Sequence, residues 1–83
     1  MAEMKVGKVV HYYDKLGVVI VELSGALAVG DKIRFERGGE ELFDQTVESI
    51  QMEHEKLESA KSGDAVGLKV SEPVKEGADV FKF

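Results

Sequence analysis

The fold is decided by the stretch Val29-Gly30-Asp31-Lys32-Ile33-Arg34-Phe35, in which a Gly-Asp pair leads into alternating apolar and charged residues. In an extended strand, Ile33 and Phe35 point to one side and the charged residues between them to the other. The stretch Ser62-Gly63-Asp64-Ala65-Val66-Gly67-Leu68-Lys69-Val70 begins in the same way. We therefore predict that one kind of Gly-Asp turn starts two strands of a small β-domain.

The rest of the chain has the same character, since nine glycines separate short runs rich in Val, Ile, Phe and Tyr. Short strands bounded by such residues are typical of a β-sandwich or barrel. Two hairpin turns are expected at Asp14-Lys15-Leu16-Gly17 and Arg37-Gly38-Gly39-Glu40, where glycine can adopt a positive φ. We predict strands over residues 5–13, 18–23, 32–36, 42–52, 65–70 and 80–83.

Two places interrupt this pattern. Val47 and Ile50 are three residues apart, so both can face the interior only if the strand has a bulge near Glu48-Ser49 or bends. Residues 53–57 are polar and are predicted to connect two strands, with room for one helical turn. Because an open sheet would leave two exposed edges, we predict an all-β fold that closes: a small antiparallel barrel of six to seven strands, formed by one domain over residues 1–83.

Length and composition limit the function classes. A chain of 83 residues hides only about 60% of its unfolded surface, which leaves little room for a deep catalytic cavity. The absence of cysteine excludes disulfides and fits a reducing compartment. No apolar run approaches the ~20 residues that span a bilayer, so no membrane association is predicted and the cytoplasm is the expected location. The net charge of −5 disfavours non-specific nucleic-acid binding, which needs clustered Lys and Arg.

Four stretches resemble the second domain of translational GTPases such as elongation factor Tu: Val6-Gly7-Lys8-Val9-Val10, Leu27-Ala28-Val29-Gly30-Asp31-Lys32-Ile33, Gln45-Thr46-Val47-Glu48-Ser49-Ile50 and Gly63-Asp64-Ala65-Val66-Gly67-Leu68. The resemblance covers nearly the whole chain and extends to small stand-alone elongation-factor-like proteins. It implies a barrel of the translation-protein type. GTP is not an expected ligand, because no Gly-x-x-x-x-Gly-Lys-Ser/Thr loop is present.

The closing stretch departs from that pattern. The elongation-factor domain has a Gly-Asp pair before its last strand, whereas here Ala78 stands between Gly77 and Asp79. The turn beside the tRNA end also differs, since Asp14-Lys15-Leu16-Gly17 stands where the family has Gly-Arg-Gly. None of the family's tRNA-binding residues therefore carries over to this sequence.

The chain also resembles the C-terminal barrel of collagenase-type peptidases. The shared features are the opening strand, the Gly-Asp start and the hairpin Gly38-Gly39-Glu40-Glu41-Leu42-Phe43-Asp44-Gln45-Thr46-Val47. Those proteins keep their catalytic machinery in another domain. The resemblance implies the same closed barrel and no reaction of its own.

The sequence contains no catalytic pattern. His11 and His54 are the two imidazoles, and a zinc site needs three or four converging ligands. The acidic residues fall on turns and outward positions, where a carboxyl group does not acquire the raised pKa of a general acid. Phe35 and Phe43 are predicted to point inward, and packing is favoured over base stacking for the other aromatic residues. We predict no catalytic residue, no cofactor and no bound metal.

These observations favour a non-enzymatic binding module that docks on a protein or ribonucleoprotein partner around translation. Two alternatives stay open: an accessory subunit of a separately encoded enzyme, and a structural protein that self-associates through residues 18–21. Gly30→Val should destabilise the fold if Gly30 has a positive φ. The predicted partner surface comprises Lys32, Arg34 and Arg37 on the central hairpin and His11, Tyr12 and Tyr13 at the end of the first strand.

Overall fold

The computed structural model describes residues 4–52 and 55–83, and every regular element in these ranges is a β-strand. The predicted all-β fold is therefore confirmed. These ranges hold no helix that is long and apolar enough to cross a membrane. The strands are β1 (Met4–Tyr13), β2 (Val18–Leu23), β3 (Leu27–Ala28), β4 (Lys32–Arg37), β5 (Glu40–Thr46), β6 (Ile50–Met52), β7 (Glu55–Leu57), β8 (Ser59–Ala60), β9 (Ala65–Lys69) and β10 (Asp79–Lys82).

Eight strands form one antiparallel sheet in the order β5-β4-β10-β1-β2-β9-β6-β7, and β3 pairs with β8 apart from it. The last strand therefore lies between the two hairpins β1–β2 and β4–β5. Its register aligns them, because Lys82 pairs with Met4 on one side and with Ile33 on the other. Two segments that are distant in sequence are thus held in a common sheet.

The core lies on the inner side of this sheet. Along β4, Ile33 and Phe35 are fully buried while Lys32 and Arg37 are exposed, so the predicted alternation is confirmed. The Phe43 ring on β5 also points inward, with its centroid 5.0 Å from that of Phe35. Full burial of such side chains stabilises the fold by about 1.5–3 kcal/mol each. Among the described residues no polar or charged side chain is buried.

The two Gly-Asp turns have the same geometry. Gly30 has a φ of 97°, and the Asp31 amide donates to the Ala28 carbonyl at 3.1 Å. The Asp31 carboxylate accepts the Ala28 amide at 2.9 Å. Residues 61–64 repeat both bonds: the Asp64 amide donates to the Lys61 carbonyl at 3.1 Å, and the Asp64 carboxylate accepts the Lys61 amide at 3.2 Å. Gly63, at the third position of this turn, has a φ of 95°. These are turns with a positive φ at the third position, as predicted from the sequence.

A third turn of this kind, over residues 75–78, precedes the last strand. Gly77 has a φ of 88°, and the Ala78 amide donates to the Lys75 carbonyl at 3.2 Å. Ala78 thus occupies the position that Asp31 has in the first turn. It is completely buried, and a carboxylate there would lose its water. Burial therefore explains the departure from the Gly-Asp pattern.

The prediction of one return strand over residues 42–52 is wrong, because β5 and β6 are separate. Between them, the Val47 amide donates to the Asp31 carbonyl at 2.8 Å, and the Val47 carbonyl accepts the Gly30 amide at 2.9 Å. Val47 and Ile50 are both buried, as the predicted bend requires. Val47 thus pairs with the first Gly-Asp turn, and the backbone leaves the sheet between β5 and β6.

The polar connection predicted over residues 53–57 is also different. Glu53 and His54 lie outside the described residues. Residues 55–57 are not helical but form β7, which pairs with β6 between Ile50 and Leu57. An extended backbone lets Leu57 pack against the core, and this contact explains the difference.

The sheet curls without closing. Its two ends are β5 and β7, and no backbone ladder joins them within residues 4–52 and 55–83. The predicted closed ring of six to seven strands is therefore wrong, and the fold is an open curved sheet of eight. Both ends carry acidic side chains that repel a second strand edge: Glu40, Glu41, Asp44 and Glu55.

A side chain spans part of the opening. Gln45 of β5 donates its amide to the Lys69 carbonyl at 2.8 Å and accepts the Ser71 amide at 3.1 Å. These bonds connect β5 to the segment that follows β9. Gln45 thus holds the curvature of the sheet where backbone pairing is absent.

Candidate functional site

A β-bulge in β1 shapes the outer side of the sheet. Val9 pairs with Val21 and His11 with Ile20, which leaves Val10 without a partner of its own. Successive residues at a bulge can lie on the same side of a strand, and Val10 and His11 are both exposed. The bulge therefore adds an apolar side chain to the outer side.

An apolar outer face results, which we define as Val10, Tyr13, Val18, Ile20 and Gly67. Tyr13 pairs with Val18 and Ile20 with Gly67, so the face crosses β1, β2 and β9. Val10 and Tyr13 are 46% and 44% exposed, and Val18 and Ile20 are half-buried. A Cβ atom at Gly67 would lie 3.4 Å from Val18 and 3.7 Å from Ile20. The glycine therefore leaves room for these side chains to cover β9.

The three residues predicted at the end of β1 do not share one side. His11 and Tyr13 lie on the outer side, with ring centroids 4.3 Å apart in an edge-to-face contact. The His11 Nδ1 atom lies 2.8 Å from the Glu76 carboxylate. Tyr12 is half-buried and packs against the core. At the end of β1, His11 and Tyr13 thus lie on the outer surface, whereas Tyr12 is part of the packing against the core.

Arg34, predicted as a partner residue, is engaged within the hairpin β4–β5. Its guanidinium binds both Asp44 carboxylate oxygens, at 2.7 Å and 3.3 Å, and Glu41 at 3.2 Å. It also lies 4.8 Å from the centroid of the Phe83 ring. The hydrogen bond from Arg34 holds the pKa of Asp44 below its usual value, and the positive charge of Arg34 acts in the same direction. The Arg34 side chain is 19% exposed, so its charge is largely satisfied by its own strands.

Lys32 and Arg37 are exposed at opposite ends of β4. Across β10, the Lys32 end of β4 lies beside the Met4 end of β1. His11 and Tyr13 lie at the other end of β1. The strand β10 therefore separates the two groups of predicted partner residues, with Lys32 at the end far from His11 and Arg37 at the nearer end.

The negative charge is concentrated at the two ends of the sheet. Residues 40–58 contain seven acidic residues and one lysine, a net charge of −6, whereas the rest of the chain has nine acidic and ten basic residues. Within this segment the described part includes β5, β6 and β7. The apolar outer face lies on β1, β2 and β9, and its Gly67 pairs with Gln51 of β6. The sheet thus has two acidic ends and a nearly neutral centre, and the apolar outer face borders one of these ends.

A shallow cavity of about 540 Å³ lies beside β3 and β8. Asp31 and Asp64 line it, but their carboxylates already accept the backbone amides of the two Gly-Asp turns. Asp31 also lies 3.6 Å from the Lys82 ammonium. These acids therefore act in the turns, and the cavity has no polar group left buried within it.

The ionisable side chains of the described residues lie at or near the surface. They include no group of three His, Cys, Asp or Glu side chains that could hold a metal ion. They also include no buried ionisable side chain, and burial is what ordinarily raises the pKa of a catalytic carboxyl group.

The sequence did not indicate that three members of the apolar outer face lie on the outer side of the sheet, namely Val10, Ile20 and Gly67. The one signal is the unbroken apolar run over residues 18–21, for which self-association was one alternative left open. The bulge that turns Val10 outward depends on the pairing of β1 with β2. Periodicity along one strand does not reveal it.

No family model matches this chain. The chain is 34% identical over 79 residues to an uncharacterized protease of Methanocaldococcus jannaschii, covering 95% of this chain and 19% of that protein. It is 33% identical over 79 residues to a collagenase of Porphyromonas gingivalis, covering 94% of this chain and 22% of that protein. The chain thus spans about a fifth of the length of these curated relatives.

The fold also matches a solved structure, the C-terminal domain of a protein assigned as a U32 peptidase in Geobacillus thermoleovorans. The TM-score is 0.87 at 26% identity, covering 98% of this chain and 92% of that domain. These similarities support the resemblance to collagenase-type peptidases. They give no support to the resemblance to elongation factors. Over nearly its whole length, the chain is similar to the C-terminal domain of U32-type peptidases.

Proposed function

We propose that this chain is a non-catalytic accessory domain that docks on the catalytic domain of a U32-type peptidase. One observation carries the proposal: 95% of the chain matches a part that makes up only 19% of a protease. A second similarity, to a C-terminal domain solved by itself, indicates that this part is a structural unit. The proposal corresponds to the accessory role predicted from the collagenase-type resemblance.

The surface chemistry supports binding over catalysis. Arg34 is held by Asp44 and Glu41, and Asp31 is held by its own turn. Charged groups engaged in this way stabilise local structure and are poorly placed to exchange protons with a substrate. The apolar outer face, by contrast, leaves Val10 and Tyr13 46% and 44% exposed.

A protein partner is favoured over a ribonucleoprotein. The negative charge on residues 40–58 would repel a phosphate backbone, since nucleic-acid binding needs positive charge to displace counterions. A protein surface needs no such charge. The role of a general binding module is thus retained, with a peptidase in place of a translation factor.

The test is to mix this chain with the U32-type catalytic domain encoded in the same genome, expressed without any C-terminal domain of its own. Size-exclusion chromatography with light scattering should show a complex of one copy of each. Peptide hydrolysis by the catalytic domain should change when the chain is added, and the chain alone should cleave none of the peptides. The catalytic domain by itself is the control.

Two results would contradict the proposal. One is the absence of a complex at low and moderate salt. The other is peptide cleavage by the purified chain that persists after a second purification. A genome without any U32-type catalytic domain would have the same consequence.

A further inference from the structure

We propose that the apolar outer face, Val10, Tyr13, Val18, Ile20 and Gly67, is the surface through which this chain packs against the catalytic domain. This inference rests on the proposed function and names the part of the molecule that would perform it. The occupant is a protein domain whose surface is apolar at the centre and polar around it.

The first reason is the composition of the face. Fully buried centres of protein interfaces are apolar and poor in charge, with a polar rim around them. Here the central pairs are Tyr13 with Val18 and Ile20 with Gly67. Ile20 also pairs with His11 and Val18 with Lys69. The next outward pair along β1 and β2 is Lys8 with Glu22, so polar and charged groups of both signs border the apolar residues.

The second reason is that the aromatic member is held in place. Tyr13 contacts the His11 ring, and His11 in turn lies 2.8 Å from Glu76 on the loop before β10. A side chain that is ordered before binding loses less entropy on association. Tyrosine is also one of the residues on which binding energy most often concentrates.

The third reason concerns which occupant fits. The curated relatives place about four-fifths of their length outside the matching part, so a large neighbour is available to cover one side of the domain. A second copy of this chain fits less well, because each copy carries a net charge of −5 and like charges oppose self-association.

The experiment compares two matched valines. Val10 is 46% exposed on the apolar outer face, and Val29 is 44% exposed in the first Gly-Asp turn. Isothermal titration calorimetry would measure the Kd of wild type, Val10→Lys and Val29→Lys for the catalytic domain described above. Val10→Lys should weaken binding about 30-fold, because a lysine would be desolvated in the interface, whereas Val29→Lys should stay within about two-fold of wild type.

Tyr13→Ala provides a second variant in case Val10→Lys impairs folding, and it should also weaken binding by about ten-fold or more. Circular dichroism melts of all variants verify that the fold is retained. If Val10→Lys, Tyr13→Ala and Val29→Lys all bind as wild type does, the assignment of the face is wrong while the proposed function stands.

Two further outcomes would overturn the inference in different ways. If wild type does not bind the catalytic domain, the proposed function fails and the assignment of the face fails with it. If wild type instead forms a dimer in sedimentation equilibrium that Val10→Lys dissociates, the occupant is a second copy of this chain.

Discussion

The hairpins β1–β2 and β4–β5 have similar inner sides and very different outer sides. Inside, both contribute buried aliphatic or aromatic side chains to one core, such as Val19 and Phe35. Outside, β4–β5 carries Arg34 bound to Asp44, while β1–β2 carries the exposed Val10 and Tyr13. The polar groups on the outer side of β4–β5 thus bind one another, whereas apolar groups on the outer side of β1–β2 are exposed to water.

This difference indicates that the interactions that stabilise the fold are not those that would bind a partner. Exposed ion pairs contribute little to stability, because water and salt screen them. The shared core and the backbone turns must then hold both hairpins. An exposed apolar side chain contributes little to the stability of the isolated fold. When a partner covers it, the removal of its apolar surface from water stabilises the complex. The proposed function therefore assigns the contact with another protein to the outer side of β1–β2.

Phe35→Ala should have the largest effect, since it removes a fully buried ring from the core that both hairpins share. The expected loss is about 3–5 kcal/mol in the free energy of unfolding, measured by chemical denaturation. Leu42→Ala, on the exposed side of the neighbouring strand β5, should change it by less than about 0.5 kcal/mol. Equal losses for the two variants would show that the inner and outer sides are assigned wrongly.

Gly30→Val should have an intermediate effect on the backbone that leads into β4. With a φ of 97°, a β-branched residue is strained although no atom lies within 4 Å of its Cβ. A loss of about 1–3 kcal/mol is expected, measured as a lower Tm and denaturation midpoint. Gly25→Ala is the control, since its Cβ would meet Val6 at an ordinary 3.5 Å. An unchanged Tm for Gly30→Val would contradict the turn geometry.

Asp44→Asn should have the smallest effect, on the outer side of β4–β5. Because Arg34 lowers the pKa of Asp44 in the folded protein, the ion pair stabilises the fold at neutral pH. This stabilisation is lost as the pH falls through that lowered pKa. The small Tm difference between wild type and Asp44→Asn at pH 7 should therefore vanish in acid and shrink in high salt. A difference that grows on acidification would exclude this ion pair as its source.

Local features of the fold were predictable because they depend on neighbours in sequence. The alternation of Ile33 and Phe35 with charged residues indicated which side is buried. The Gly-Asp pairs indicated two turns, and in the structure their glycines Gly30 and Gly63 have positive φ. Both follow from rules that act within a few residues, namely the two-residue period of a strand and the freedom of glycine.

Candidate surface residues were predictable only in part. His11 and Tyr13 lie on the outer side as expected, but Tyr12 packs inward. Arg34 was chosen for its charge, and its engagement by Asp44 depends on the register of β4 with β5. A register is a property of two strands, which one strand's pattern does not contain.

By itself, the sequence determined an all-β domain, its turns and the inner side of its strands, because these depend on short-range sterics and burial. Tertiary structure alone decided the break at Val47, the bulge at Val10 and the side-chain bridge made by Gln45. Each of these depends on which distant segment lies opposite. For the same reason, the open ends of the sheet and its apolar outer face emerged only when the strands were assembled.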